Sequence, residues 1–232
     1  MSNPAAPAFL RAAIIFDLDG TLIDSAPLCA AIINEILHER GSPRVVSAAD
    51  ARAYLTQGGA QLVTALLGSV GDEARHDLAA FRDRYAARPT PADCLFPGVR
   101  HGLSALSRSG VRIAICSNKP QQLCAKIVAD LAIDCAVVVG SVPGVPLKPA
   151  PDLARLALEK LGADPSACLY VGDSDVDRRT AKNAGIPFLF VTYGYAEPGV
   201  AIEALERFDR FDELVSFATQ RCERPAIRRR VA

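Results

Sequence analysis

The sequence of 232 residues lacks an excess of charge, because 26 lysines and arginines balance 26 aspartates and glutamates. This balance does not favour nucleic acid or a membrane surface as the main partner. The chain also has no apolar run near the length of about 20 residues that a membrane span needs. Residues 1–13 have no basic stretch of the kind that opens a secretory leader. We therefore expect a cytoplasmic protein without a nucleic-acid or membrane partner.

A CxxC motif is absent too, although the chain has seven cysteines. An odd number is not typical of a complete disulfide framework. Cys116, Cys135 and Cys168 lie in or beside apolar runs that resemble strands. We expect most of the cysteines to be small buried hydrophobic residues in a reducing compartment, and we expect neither a disulfide nor a zinc framework.

Short apolar runs without alternation recur at 12–16, 111–117, 135–140, 168–173 and 187–193. Such runs are typical of strands that are buried on both faces of a sheet. Helical patterns lie between most of them. Strands that alternate with helices predict an α/β fold with a doubly wound, Rossmann-like parallel sheet.

Residues 26–93 interrupt this alternation. They contain no convincing strand, and their patterns predict four helices separated by glycine-containing turns. We expect a catalytic core of residues 1–25 and 94–232, and a separate α-helical cap domain of residues 26–93. The basic tail at 221–232 is expected to be a solvated terminus, with a basic arm that binds an anion or a partner as the alternative.

Acidic side chains follow two of the predicted strands. Asp17 and Asp19 end the first strand, and Asp173 ends the run that begins at Cys168. The carboxyl ends of parallel strands share one edge of the sheet, where α/β proteins bind ligands. Clustered carboxylates repel one another unless a cation neutralises them. Mg²⁺ is the best candidate, because it accepts carboxylate, water and phosphate oxygens as ligands.

The same residues suit nucleophilic catalysis. An aspartate can attack phosphorus to form an aspartyl-phosphate, and a second carboxyl such as Asp19 can protonate the leaving alkoxide and later activate water. Gly20 would let backbone amides approach a phosphate. Ser117 and Lys148 would offset the charge on the transferring oxygens. Each of these residues alone has an ordinary explanation as a turn or cap residue, but the whole set at the ends of strands is not expected by chance.

Four motifs together resemble those of the haloacid dehalogenase superfamily of hydrolases: DLDGTLIDS (17–25), ICSNKP (115–120), LKPAPD (147–152) and VGDSDVD (171–177). They are most similar to the phosphoglycolate phosphatase-like branch, and residues 26–93 occupy the place of that family's C1-type cap. The resemblance implies a Mg²⁺-dependent phosphoric monoester hydrolase. Its substrate would be a small phosphorylated metabolite, with 2-phosphoglycolate as the first candidate.

The resemblance also implies a role for each matched residue. Asp17 would be the nucleophile, and Asp19 the general acid and base. Mg²⁺ would be held by the Asp17 carboxylate, the Asp19 backbone carbonyl and Asp173, with Asp177 in a supporting position. The residues expected to bind the phosphoryl group or the rest of the substrate are Gly20, Thr21, Ser117, Asn118 and Lys148.

Related activities differ from this pattern. The true dehalogenases of the superfamily lack the acidic residue that is Asp19 here. The sugar-phosphate mutases have a cap histidine about where Cys29 lies, and the phosphonate-cleaving relatives use a cap lysine, whereas residues 26–93 contain no lysine. A phosphatase is therefore favoured over a phosphomutase, and the intact set of site residues disfavours a non-catalytic binding protein. Another sugar or acid monophosphate stays open as the substrate.

The predicted cap has two features that could meet a substrate. Gly58 and Gly59 form either a loop over the substrate or a plain helix–helix turn, and the sequence does not decide between these. The arginines that could contact a substrate carboxylate are Arg52, Arg75, Arg82, Arg84 and Arg88.

Overall fold

The structure is a computed structural model that describes residues 12–56, 58–196 and 201–223, with side chains described as far as residue 221. The expectations for residues 1–11 and 224–232 lie outside the described residues, as does the expectation for the side chain of Cys222. Within these ranges, no helix is both long enough and apolar enough to cross a bilayer.

Six parallel strands form a single sheet in the described part of the chain. The strands are β1 (Ala13–Phe16), β2 (Arg112–Pro120), β3 (Val137–Ser141), β4 (Cys168–Gly172), β5 (Phe188–Val191) and β6 (Glu206–Phe208). Their order in the sheet is β3-β2-β1-β4-β5-β6. Every residue of β1, β4 and β5 is buried, which explains why these segments are continuous apolar runs.

Helices connect the strands. They are α1 (Ala26–Glu39), α2 (Ala48–Leu55), α3 (Gly59–Leu67), α4 (Gly71–Ala86), α5 (Val99–Arg108), α6 (Gln121–Asp130), α7 (Asp152–Leu161), α8 (Asp175–Ala184) and α9 (Phe211–Glu223). Short 3₁₀ helices occur at Ala92–Cys94 and Pro165–Ala167.

The helices cover both faces of the sheet. Ile14 and Phe16 of β1 pack in an apolar cluster with α5, α6 and α9, whereas Ala13 and Ile15 pack with α7 and α8. From the neighbouring strands β1 and β4 the chain proceeds outward in opposite directions, so the topological switch point lies between them. The predicted doubly wound α/β fold is confirmed.

The sequence-based assignment was wrong about the end of β2. Ser117 was expected to end this strand, but β2 continues to Pro120. Its register with β3 shifts between Cys116 and Pro120, so Ser117, Asn118 and Lys119 lie in an irregular stretch. An irregularity of this kind re-aims side chains at the edge of a sheet and leaves no clear pattern in the sequence. The elements β6 and α9 were not anticipated.

Between β1 and the 3₁₀ turn at Ala92–Cys94, the described residues form α1 to α4 and no strand. Ser47 caps α2 through a reciprocal pair of hydrogen bonds with Asp50. Gly58, with φ of 95°, precedes α3 in a conformation that other residues rarely adopt. The apolar cluster on one face of the sheet continues into these helices, through residues such as Ile33 and Leu62.

Helices α5 and α9 pack closely at Gly102. A Cβ atom at this position would lie 2.5 Å from Cε1 of Phe211 and 2.7 Å from Cγ2 of Val215. We expect Gly102→Ala to lower the free energy of unfolding by about 2 kcal/mol, because overpacking outweighs the gain in helix propensity of about 1 kcal/mol. Chemical denaturation would measure this loss.

Gly59→Ala is the matched control. Gly59 also lies in a helix, but a Cβ atom there would have no neighbour within 4 Å. The stability of this variant should equal or slightly exceed that of the wild type. If Gly102→Ala were as stable as Gly59→Ala, the close packing of α5 on α9 would be contradicted.

Candidate active site

The topological switch point places two aspartates side by side. Asp17 follows β1 and Asp173 follows β4, and the two strands pair with Phe16 opposite Val171. The backbone N–H of Asp17 extends this pairing by donating to the carbonyl of Val171 over 2.9 Å. Because parallel strands end at a common edge, both carboxylates lie where α/β sheets bind their ligands.

Three carboxylates form a buried cluster at this edge. Asp17, Asp173 and Asp177 can each offer one oxygen such that all three oxygens lie within 4.8 Å of one another. Burial and the charge of Asp177 raise the pKa of Asp173 to about 7. Burial also raises the pKa of Asp17 well above its usual value, against the opposing effect of Lys148. This oxygen-only donor set fits a hard divalent cation, which would relieve the repulsion.

Lys148 lies between two of these carboxylates. Its Nζ is 2.7 Å from Oδ1 of Asp17 and 2.7 Å from Oδ1 of Asp177. Burial opposes the ammonium charge, but the two carboxylates outweigh burial and raise the pKa of Lys148. The side chain of Asn118 accepts from the backbone N–H of Lys148 over 2.7 Å and donates to its carbonyl over 3.0 Å. These two bonds fix the loop of Lys148 to the end of β2.

The oxygens of the three carboxylates have different partners. Both oxygens of Asp177 are engaged, one by Lys148 and the other by the Ser174 hydroxyl. Asp17 Oδ1 is bound to Lys148, while its Oδ2 accepts no hydrogen bond from the described residues. Asp17 therefore has an oxygen available for a ligand, and Asp177 is placed to support Lys148.

Gly20 and Thr21 contact Asp173. The Thr21 hydroxyl donates to Oδ1 of Asp173 over 3.1 Å, and the backbone N–H of Tyr195 donates to Oδ2 over 2.6 Å. A Cβ atom on Gly20, which has φ of 84°, would lie 2.2 Å from Oδ2 of Asp173. Glycine is thus required here by both the backbone conformation and the close approach of the carboxylate. The expected contact of Gly20 and Thr21 with a substrate stays a prediction.

Asp19 faces a different set of groups. Its Oδ1 accepts hydrogen bonds from the Ser25 hydroxyl and from Nζ of Lys119, the latter over 2.9 Å. Lys119 also contacts Tyr85 of α4, with Nζ 3.4 Å from the phenol oxygen and 4.4 Å from the ring centroid. Burial opposes the charge of Lys119, but Asp19, Tyr85 and Cys29 together outweigh burial and raise the pKa of the ammonium group. Neither Lys119 nor Tyr85 was predicted from the sequence as a site residue, although Lys119 lies within the SNKP motif.

A cavity of about 90 Å³ opens next to these residues. Outside residues 26–93, the residues at its wall include Asp17, Asp19, Ser117, Lys119 and Lys148. The residues that α1 to α4 and their turns contribute include Cys29, Gly58, Gly59, Leu62, Phe81, Arg82 and Tyr85. The glycine pair, which the sequence left undecided, thus lies at the cavity wall.

Cys29 is the cavity residue at the approximate position of the mutase histidine. It is 1% exposed. Burial raises the pKa of its thiol to about 12, so the thiol stays protonated near neutral pH. A protonated thiol is a poor base, which favours a phosphatase over a mutase at this position.

The chain is similar to known proteins over most of its length. The family model of haloacid dehalogenase-like hydrolases matches residues 12–185. A phosphoglycolate phosphatase of Cupriavidus necator, encoded on a plasmid, is 37% identical over 81% of this chain and 83% of its own. A phosphoglycolate phosphatase of Rhodospirillum rubrum is 35% identical over 87% of this chain and 88% of its own.

The fold is shared with solved structures as well. A haloacid dehalogenase-like family hydrolase from Streptococcus pneumoniae superposes with a TM-score of 0.75, covering 89% of this chain and 97% of its own at 23% identity. The chain belongs to the haloacid dehalogenase-like hydrolase family. The sequence-based identification of the family and of its enzymatic class is confirmed.

The buried carboxylates predict a pH dependence of stability in the absence of metal. The pKa of Asp173 is about 7 in the folded protein, whereas an aspartate in an unfolded chain titrates near about 4. Between these values the folded state holds more protons at this residue. Its contribution to the free energy of unfolding therefore falls as the pH rises from about 4 to about 7. Urea denaturation with EDTA present would measure the dependence.

Other carboxylates act in the opposite direction, such as Asp130, whose pKa is lowered to about 2. The difference in the free energy of unfolding between the wild type and Asp173→Asn therefore isolates the contribution of Asp173. The amide that this substitution introduces can keep the contacts to Thr21 and Tyr195 but does not titrate. The variant should gain stability relative to the wild type as the pH rises. The exposed Asp175→Asn is the control. A difference between Asp173→Asn and wild type that did not change with pH would contradict the prediction.

Proposed function

We propose that this chain is a Mg²⁺-dependent phosphatase that hydrolyses a small phosphorylated metabolite through an aspartyl-phosphate, with 2-phosphoglycolate as the first candidate substrate. The main support is the arrangement of Asp17, Asp19 and Lys148 at one cavity wall, with Asp173 beside Asp17. The names of the curated relatives support the choice of substrate.

In the first step, the Asp17 carboxylate attacks the phosphorus atom. A P–O bond to Asp17 forms while the P–O bond to the leaving group breaks. The oxygen Oδ2 of Asp17 is the available nucleophile, since Lys148 holds Oδ1. The Lys148 ammonium and the Ser117 hydroxyl, both at the cavity wall, would bind the oxygens of the transferring group.

Asp19 moves the proton in both steps. Its Oδ1 is held by Ser25 and Lys119, and its Oδ2 accepts no hydrogen bond from the described residues. As an acid, Asp19 gives a proton to the leaving alkoxide. As a base, it then takes a proton from the water that attacks the aspartyl-phosphate, which frees phosphate and restores Asp17.

Asp17 and Asp173 would hold Mg²⁺, together with the Asp19 backbone carbonyl that the family resemblance implies. When bound, the ion would neutralise the carboxylates and the charge of the phosphoryl oxygens. Asp177 would act through Lys148, whose Nζ lies 2.7 Å from Oδ1 of Asp177.

The division into domains belongs to the same proposal: residues 1–25 and 94–232 form the core, and residues 26–93 form a cap. Helices α1 to α4 and their turns line the cavity together with Asp17 and Asp19, where they would shield the intermediate from water. We also place the enzyme in the cytoplasm, in line with the free thiols of Cys29, Cys94, Cys116, Cys124, Cys135 and Cys168.

Asp17→Asn tests the nucleophile. The amide has nearly the same shape but cannot attack phosphorus, so phosphate release from 2-phosphoglycolate should fall by more than about a thousandfold. The fold should persist, and an unchanged circular dichroism spectrum would show this. Asp175→Asn, an exposed aspartate of the VGDSDVD motif, is the control and should retain activity.

The alternatives give different results in the same assay. Unchanged activity of Asp17→Asn would rule out the mechanism. Release of phosphate from other phosphorylated acids or sugars, but not from 2-phosphoglycolate, would keep the mechanism and change the substrate. An isomerised sugar phosphate without free phosphate would indicate a mutase, and no product from a broad panel would indicate a binding protein.

Mg²⁺ should stabilise the folded protein as well as activate it. A ligand that binds only the folded state, at a concentration of about a hundred times its Kd, raises the free energy of unfolding by about 2.7 kcal/mol. Calorimetry should therefore show a higher Tm with Mg²⁺ than with EDTA. Asp173→Asn should lose most of this increase, and Asp175→Asn should keep it. An identical Tm of the wild type in both conditions would count against a Mg²⁺ site.

A further inference from the structure

The arginines of residues 26–93 differ sharply in their partners. The sequence has seven of them there, and six have a charged or carbonyl partner. Among the candidates for substrate contact, Arg52 pairs with Asp24 and Arg75 pairs with Asp72. Two more candidates also have partners: Arg84 pairs with Glu39, and Arg88 pairs with Glu35.

Arg82 is the exception. It makes no hydrogen bond or ion pair with any described residue, and it is the only arginine among the described residues that line the catalytic cavity. A guanidinium without a partner at the wall of a site is available to a ligand. None of the other four candidates lines this cavity.

The helix α4 determines where Arg82 lies. Leu78, Phe81, Arg82 and Tyr85 are spaced so that they share one face of the helix, and all four line the cavity. Tyr85 contacts Lys119 of the core. Arg82 is therefore one helical turn from a fixed contact between this helix and the catalytic edge of the sheet.

The other cations at the cavity already have anionic partners. Lys148 is bound by Asp17 and Asp177, and Lys119 is bound by Asp19. Lys148 would also serve the transferring phosphoryl group. A second anionic group on a substrate would therefore find Arg82 as the one cation, among the described residues at the cavity, without a carboxylate partner.

We propose that Arg82 binds the carboxylate of the substrate and thereby selects phosphorylated carboxylic acids over phosphorylated alcohols. A guanidinium binds a carboxylate through two parallel hydrogen bonds, which gives direction as well as charge. The apolar neighbours Leu78 and Phe81 leave the rest of this helix face suited to a short carbon chain. This inference rests on the proposed phosphatase activity.

The test compares two substrates that differ only at the carboxylate. In 2-hydroxyethyl phosphate, a hydroxymethyl group replaces the carboxylate of 2-phosphoglycolate. Arg82→Gln should lower kcat/KM for 2-phosphoglycolate by about tenfold or more, mainly through KM, because it removes a charge-assisted contact made throughout the reaction. Hydrolysis of 2-hydroxyethyl phosphate should be unchanged.

Two further variants complete the design. Arg82→Lys should recover part of the lost affinity, since it keeps the charge but not the planar fork. Arg75→Gln is the matched control, because Arg75 lies on the same helix, is exposed and pairs with Asp72 away from the cavity. It should behave as the wild type with both compounds.

Failure of the inference differs from failure of the proposed function. If Arg82→Gln lost activity equally with both compounds, or with neither, the carboxylate contact would be wrong while the phosphatase stood. A wild type that prefers 2-hydroxyethyl phosphate would also overturn the inference. A wild type that releases phosphate from neither compound would contradict the choice of substrate, and the role of Arg82 would fall with it.

Discussion

The contact of the Lys148 ammonium with Asp17 and Asp177 is the interaction on which the site depends. Three buried carboxylates and one buried ammonium leave a formal excess of two negative charges, which is the charge that one divalent cation neutralises. Without Lys148 the excess would be larger, and protonation would have to remove it. The two hydrogen bonds between the Asn118 side chain and the backbone of Lys148 help to hold the lysine in this position.

The sheet supplies the rigidity that this arrangement requires. Because β1 and β4 are paired and fully buried, backbone hydrogen bonds and packing hold together the strands that Asp17 and Asp173 follow. Gly20 then lets its loop pass directly against Asp173, where any side chain would collide with the carboxylate. Strand pairing and the close approach of Gly20 to Asp173 thus hold the carboxylates together against their mutual repulsion.

The sequence predicted those parts of the site that follow from strand ends and charge. Asp17, Asp19 and Asp173 end apolar runs, and their chemistry pointed to a metal and to phosphoryl transfer. The sequence did not predict the irregular end of β2, because a register shift leaves no pattern in the composition. Lys119, which lies beside Asp19, is in this irregular stretch. The sequence also could not choose among the arginines of residues 26–93. Their surroundings depend on which carboxylates the helices bring together, and that is a property of tertiary packing.

The position of Lys119 links the two sides of the cavity. One ammonium group contacts Asp19 of the core and Tyr85 of α4, and Arg82 is on the same face of that helix. A displacement of α4 that removed Tyr85 would leave Lys119 more hydrated, and its hold on Asp19 would weaken because water screens the pair. The same displacement would withdraw Arg82. In the proposed mechanism, contact of α4 with the substrate and the position of the Asp19 carboxyl would therefore be coupled through the Lys119 side chain.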